Sequence, residues 1–148
     1  MSEELDLQQD SITTVREFFA ALGLGAVDEA LELLAPDAVW RNTSLPDMRG
    51  AMVGRVLRGL ERPWLGFDVR IHHIAADRDV VLTDRTDILI FGPLRVEFWV
   101  AGTFELRDGR ITLWHDHFSW ENLLRGVAVG AARAALGRGR QRQECSTK

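Results

Sequence analysis

Apolar residues recur at helical spacing near the start of the chain. They lie three and four positions apart and therefore share one helix face: Ile12, Val15, Phe18, Phe19 and Leu22. Asp10 or Ser11 can cap the start of this helix, and Gly23 can end it. We expect this helix to bury its apolar face against the rest of the domain.

Two shorter helices and a strand are predicted next. Residues 24–34 form an amphipathic helix that Pro36 stops, and residues 50–61 form another that Pro63 closes. Residues 38–42 between them have the composition of a short strand.

From residue 66 the periodicity changes to two, which is typical of strands. Strands are predicted over residues 66–76, 80–91, 94–106 and 111–120, followed by a helix from residue 121. Gly92-Pro93 and Asp108-Gly109 supply hairpin turns. This order predicts an α+β fold, with a curved, mixed but largely antiparallel sheet whose cone-shaped pocket is closed by the N-terminal helices and a C-terminal helix.

Composition fits one domain, residues 1–137, followed by a disordered basic tail, residues 138–148. Hydrophobic residues make up 46% and charged residues 27%, which excludes a disordered chain or a coiled coil. A net charge of −4 gives no reason to expect a nucleic-acid partner, and no apolar run is long enough for a membrane span. The acidic start and the lone Cys145 favour a cytoplasmic protein.

Strand register predicts which polar side chains point inward. A two-residue loop at Gly92-Pro93 pairs the flanking strands so that Arg85 lies opposite Val100 and Asp87 opposite Phe98. Both charged residues then point to the apolar side of the sheet.

The next hairpin decides the position of Asp116. A two-residue turn at Asp108-Gly109 places Asp116 opposite Ala101, on the far face, whereas a three-residue loop over 107–109 pairs it with Val100. We favour the second register, because glycine in the third loop position suits a bulged hairpin. Asp116 is then expected in the same hollow as the arginine and the aspartate of the preceding strands.

Two carboxylates and one guanidinium in an apolar hollow can form an acid–base site. Arg85 can bridge both carboxylates, and the pKa of the less well paired one rises through desolvation. One protonated and one ionised aspartate suit simultaneous general acid and general base catalysis. The alternative is a cross-strand ion pair without chemistry. His115 and His117 share a strand face and could chelate a metal, but on the face opposite Asp116, so we expect a surface pair and no metal.

Three segments in this order resemble the limonene-1,2-epoxide hydrolase family: residues 39–42, 81–87 and 109–118. The resemblance covers roughly residues 10–130. The family belongs to a cone-shaped α+β superfamily that also holds ketosteroid isomerases and polyketide cyclases, so the fold alone does not determine the activity.

The resemblance implies a homodimer that hydrolyses an epoxide to a vicinal diol in one step, with no cofactor or metal. By position, Asp116 is the base that deprotonates water, Asn42 helps to hold that water, Asp87 is the acid, and Arg85 bridges the aspartates. The family usually has tyrosine where this chain has Trp40, and an indole donates one hydrogen bond and accepts none. The chain holds five tryptophans and no tyrosine.

The implied substrate is a lipophilic epoxide, terpenoid or sterol-like. The side chains expected to line its hollow are Leu60, Trp64, Leu89, Phe98, Val100, Phe118 and Leu123. A ketosteroid isomerase or cyclase of this fold is the alternative enzyme; its oxyanion donor, commonly a tyrosine, would have to be a protonated Asp87 or an indole. A non-catalytic protein that binds a hydrophobic ligand is the third interpretation.

Overall fold

The computed structural model describes residues 2–146, with side chains to residue 137. The elements follow in the order α1 (Ser2–Gly23), α2 (Val27–Glu32), β1 (Leu34–Asn42), β2 (Met48–Arg49), α3 (Ala51–Leu57), a 3₁₀ turn (Arg58–Glu61), β3 (Leu65–Asp77), β4 (Val80–Phe91), β5 (Leu94–Arg107), β6 (Arg110–Phe118) and α4 (Trp120–Ser146). The predicted α+β class is confirmed. No helix in the described part of the chain is long and apolar enough to cross a membrane.

The six strands form one sheet in the order β2-β1-β6-β5-β4-β3. β1 runs parallel to β6, and the other neighbours are antiparallel. Phe18 and Phe19 of α1 meet Trp114 and Phe104 of the sheet edge-to-face, with ring centroids 5.0 to 6.3 Å apart. Fully burying each such side chain contributes about 1.5–3 kcal/mol. These contacts hold α1 across the inner face of the sheet.

Several predicted element boundaries were wrong. α1 begins at Ser2 because residues 2–9 are good helix formers, and Ser11 is no cap: its hydroxyl is buried and donates to the Arg78 carbonyl at 3.2 Å. β1 begins at Leu34 and passes through Pro36, which a register shift in the β1–β6 pairing accommodates. The two-residue strand β2 was not predicted.

The β4–β5 hairpin has the predicted register, with Phe91 opposite Leu94 and Arg85 opposite Val100. The three-residue loop predicted for the next hairpin is wrong, because Arg107 pairs with Arg110 across a two-residue turn.

Asp116 nevertheless lies on the predicted face, because β6 contains a bulge. Leu106 pairs with Ile111 but Glu105 pairs with Leu113, so Thr112 is an extra residue, and its hydroxyl donates to the Glu105 carbonyl at 3.1 Å. The bulge reverses which face the later residues of β6 present, and Asp116 lies opposite Gly102.

α4 packs along β5, where two glycines permit a close approach. A Cβ at Gly126 would overlap the carbonyl oxygen of Glu97, and one at Gly130 would overlap that of Arg95. The side chains of residues 138–148 lie outside the described residues. The backbone of α4 extends to Ser146, and the disordered basic tail stays a prediction.

Candidate active site

A cavity of about 290 Å³ lies between the inner face of the sheet, α3 with its 3₁₀ turn, and the start of α4. Its apolar lining includes six of the seven side chains expected there: Leu60, Leu89, Phe98, Val100, Phe118 and Leu123. It also includes five that were not on that list: Leu22, Val56, Leu57, Phe67 and Trp114. The other lining residues are Trp40 and the three polar residues Asn42, Asp87 and Asp116.

Trp64 does not line the cavity, so the prediction for this residue is corrected. Its side chain is 53% exposed, and the Arg62 guanidinium lies 5.6 Å from its ring centroid. Trp64 follows Pro63 in the short connection between the 3₁₀ turn and β3, and this connection turns the indole outward.

Arg85 bridges the two aspartates, and its side chain is 0% exposed. Its Nε donates to Asp87 Oδ1 at 2.7 Å and its Nη2 to Asp87 Oδ2 at 3.2 Å, while the same Nη2 donates to Asp116 Oδ1 at 2.7 Å. Burial acts to lower the pKa of Arg85, but the two carboxylates outweigh it and the pKa is raised. The guanidinium therefore stays charged although the Arg85 side chain is fully buried.

The pKa of the Asp87 carboxyl is raised. Burial raises its pKa above the ordinary value, and the negative charge of Asp116 adds to the rise; Arg85 opposes both without cancelling them. A carboxyl of this kind holds a proton at a higher pH than a surface aspartate and can act as a general acid.

The guanidinium of Arg85 occupies a defined space beside β5. Its Nη1 donates to Thr83 Oγ1 at 3.1 Å, and its Cζ lies 4.6 Å from the ring centroid of Phe19. Gly102 lies below it: a Cβ at this position would overlap Nη1 of Arg85 and come within 2.7 Å of Thr83 Oγ1. Gly102 is required here for space, since glycine in a strand allows close approach of another group.

Two stacked tryptophans lie next to Asp116. The indole of Trp114 donates from Nε1 to Asp116 Oδ1 at 2.8 Å. Trp40 stacks on Trp114, with 4.1 Å between ring centroids and 6° between planes. Trp40 Nε1 is buried and has no hydrogen-bond partner within the described residues.

The parallel pairing of β1 with β6 brings the remaining polar residue into place. Trp40 lies opposite Trp114 and Asn42 lies opposite Asp116 in this register. Thr43 ties the end of β1 to β6, since its hydroxyl donates to the Asp116 carbonyl at 3.4 Å and accepts from the Phe118 N–H at 3.2 Å.

His115 and His117 lie on the opposite face of β6 from the two aspartates. Their rings are 3.8 Å apart, and burial, followed by the neighbouring His117, lowers the pKa of His115. The described residues contain no group of three or more histidine, cysteine, aspartate or glutamate side chains arranged for a metal ion.

Sequence reasoning brought together Trp40, Asn42, Arg85, Asp87 and Asp116, and the structure places all five around one end of the cavity. It missed the supporting roles of Thr83 and Gly102. The signal for Gly102 was present, because a glycine within a strand indicates a close approach.

Comparison with known proteins identifies the family. The Limonene-1,2-epoxide hydrolase catalytic domain matches residues 9–129. Epoxide hydrolase EphG of Mycobacterium tuberculosis is 43% identical over 116 residues, which are 78% of this chain and 78% of that protein. The structure of an M. tuberculosis LEH-like epoxide hydrolase matches with a TM-score of 0.83 at 40% identity and covers 88% of this chain and 98% of that one.

The fold extends beyond this family. An NTF2-like protein from Burkholderia xenovorans matches with a TM-score of 0.64 at 18% identity, covering 81% of this chain and 97% of that one, and shows likeness of fold alone. The family match and the two M. tuberculosis proteins, at 43% and 40% identity, are evidence for the family as well as the fold. They confirm the predicted family and enzyme class: this chain belongs to the limonene-1,2-epoxide hydrolase family and is an epoxide hydrolase.

Proposed function

We propose that the chain converts a lipophilic epoxide to a vicinal diol in one step, with Asp116 as general base and Asp87 as general acid. The observation that carries this proposal is the buried bridge: Arg85 holds two aspartates at the same end of an apolar cavity, and burial raises the pKa of Asp87. An epoxide is a weak electrophile at neutral pH, so base and acid acting together lower the barrier on both sides of the reaction.

The acid half of the mechanism belongs to Asp87. Its raised pKa keeps a proton available, and this proton passes to the epoxide oxygen as the carbon–oxygen bond breaks. Without that transfer the product would be an alkoxide in an apolar cavity, which is costly. Arg85 then stabilises the carboxylate that Asp87 becomes.

The base half belongs to Asp116 and a water molecule. A water at Asp116 and Asn42 can donate one hydrogen to each of their side-chain oxygens. A lone pair of its oxygen is then free to attack the epoxide carbon. One proton goes to Asp116, the new carbon–oxygen bond forms, and Asp116 later returns that proton to Asp87 through solvent.

The apolar lining supports a hydrocarbon-rich substrate of the terpenoid or sterol-like class. The hydrophobic side chains around the aspartates give affinity through buried area, and the epoxide oxygen is the one group that needs a polar partner. We also propose that the enzyme works as a cytoplasmic homodimer without a cofactor or metal; the family resemblance and the lone Cys145 support this.

The test is diol formation from a panel of lipophilic epoxides by the wild type, Asp116→Asn and Asp87→Asn. Both variants should lose about 100-fold or more in kcat. Asp84→Asn is a matched control, since Asp84 accepts hydrogen bonds from Trp99 at 2.6 Å and pairs with His73 on the outer face. An inactive wild type, or full activity in either site variant, overturns the mechanism.

Directness is tested by a single turnover in water labelled with heavy oxygen. The one-step mechanism predicts label in the diol and none in the protein. Label in an aspartate would mean that a covalent ester forms first.

A further inference from the structure

The two oxygens of the Asp116 carboxylate have different surroundings. Oδ1 accepts two N–H donors, Nη2 of Arg85 at 2.7 Å and Nε1 of Trp114 at 2.8 Å. No hydrogen bond from a described residue reaches Oδ2. Among the described residues, Trp40 Nε1 is the one side-chain nitrogen or oxygen that is both fully buried and without a partner. Oδ2 has no partner either, so it is not fully buried and is open to the cavity.

The Trp114 indole cannot easily turn away from this position. Trp40 stacks on one of its faces at 4.1 Å, and Phe18 meets it edge-on at 5.0 Å. Trp114 and Asp116 are two residues apart on β6 and therefore point to the same side of the sheet. The indole N–H is thus held by packing that does not depend on Asp116.

We propose that Trp114 is a positioning residue that fixes the rotation of the Asp116 carboxylate and makes Oδ2 the oxygen that takes the proton from water. This inference rests on the proposed function. With two donors, Oδ1 has its acceptor capacity in use, whereas Oδ2 has both lone pairs free. A carboxylate held by Arg85 alone could rotate about that single contact and present either oxygen, and fewer of its orientations would be productive.

Trp114→Phe tests the proposal because phenylalanine keeps an aromatic ring in the stack but has no N–H. We expect kcat to fall about tenfold, an effect of the size expected for a lost hydrogen bond to a charged group. KM should change less than twofold. With kcat calculated on the folded enzyme measured by circular dichroism, a variant that folds poorly still tests the proposal.

Trp99→Phe is the matched control. Trp99 also donates an indole N–H to an aspartate, Asp84 at 2.6 Å, but on the outer face of the sheet. It should keep wild-type kcat and KM. Trp114→Phe with wild-type kcat, or with a loss confined to KM, overturns the inference. A wild type that forms no diol overturns the proposed function and the inference with it, and the two failures are thus distinguishable.

Discussion

Gly102 and Arg85 meet across neighbouring strands, with the guanidinium of Arg85 lying where a side chain at Gly102 would begin. The bridge between the two aspartates therefore depends on the absence of a single carbon atom. Thr83 Oγ1 lies at the same place and accepts from Nη1 at 3.1 Å, so the guanidinium has no free space to retreat into.

Gly102→Ala should displace the guanidinium and disrupt the bridge. We expect kcat to fall about 100-fold, and the free energy of unfolding to fall by about 3–5 kcal/mol as the buried charges lose their pairing. Steady-state kinetics and denaturant titration measure these effects. Gly23→Ala is the control, because a Cβ there has its nearest neighbour at 3.7 Å. Near-normal activity in Gly102→Ala would show that Arg85 can bridge from another position.

The raised pKa of Asp87 predicts how activity depends on pH. The protonated form is the acid, so kcat should fall as the pH rises through the folded-state pKa of Asp87. Asp87→Asn should lose this basic limb along with most of its activity. A wild-type profile that stays flat on the basic side contradicts the assignment of Asp87 as the acid.

The same pKa predicts how stability depends on pH. A carboxyl whose pKa is higher in the folded state than in the unfolded state contributes stability that is fully present below the ordinary value of 3.8 and is lost as the pH rises through the folded-state value. The stability of the wild type relative to Asp87→Asn should therefore decline over that window. Urea unfolding at a series of pH values measures this, and a relative stability that rises with pH would contradict it.

Trp40 should contribute through its stack on Trp114 and not through its indole N–H, which is buried without a partner among the described residues. Trp40→Phe keeps an aromatic ring in the stack and removes the N–H, so kcat should stay within about threefold of the wild type. Thermal stability should hold or rise, because the lost group is a buried donor without a partner. Steady-state kinetics and thermal unfolding measure these effects, and a fall in kcat of about tenfold or more would show that the N–H reaches the water.

Gly126 should matter for the substrate pocket through the position of α4. Gly126→Ala pushes the helix from the Glu97 carbonyl, which should cost about 1–3 kcal/mol of stability and raise KM, because Leu123 on the same helix lines the cavity. Gly137→Ala in the same helix has no atom within 4 Å of the new Cβ and should gain up to about 1 kcal/mol. Equal behaviour of the two variants would show that α4 moves without consequence.

Local patterns predicted much of the fold. The Gly92-Pro93 turn determined the β4–β5 register and so placed Arg85 and Asp87 correctly. The face of Asp116 was correct although the loop was not. The predicted longer loop and the observed bulge shift the pairing by one residue in opposite directions, to Val100 and to Gly102, and either shift puts Asp116 on the same face. The start of α1 was missed because Ser11 looks like a cap in sequence but is buried by a tertiary contact with Arg78.

Other features depend on side-chain arrangement and have no periodic signature. The outward turn of Trp64 follows from the path of a short connection, and the sequence does not specify that path. The sequence predicts that Trp114 and Asp116 share a strand face, but it does not predict the hydrogen bond between them. The angle of the indole is set by its packing against Phe18 and Trp40. The cavity shape likewise results from how α3 and α4 approach the sheet.

The extra residue in β6 determines which set of side chains the strand presents to the cavity. In an uninterrupted ladder with the observed turn, His115 and His117 would enter the cavity and Asp116 would face outward. Because Thr112 is an extra residue, Asp116 faces the cavity and the two histidines face outward. One inserted position, with no group that takes part in the chemistry, thereby determines whether β6 presents a carboxylate or histidines to the cavity, and deletion of Thr112 would exchange the two sets.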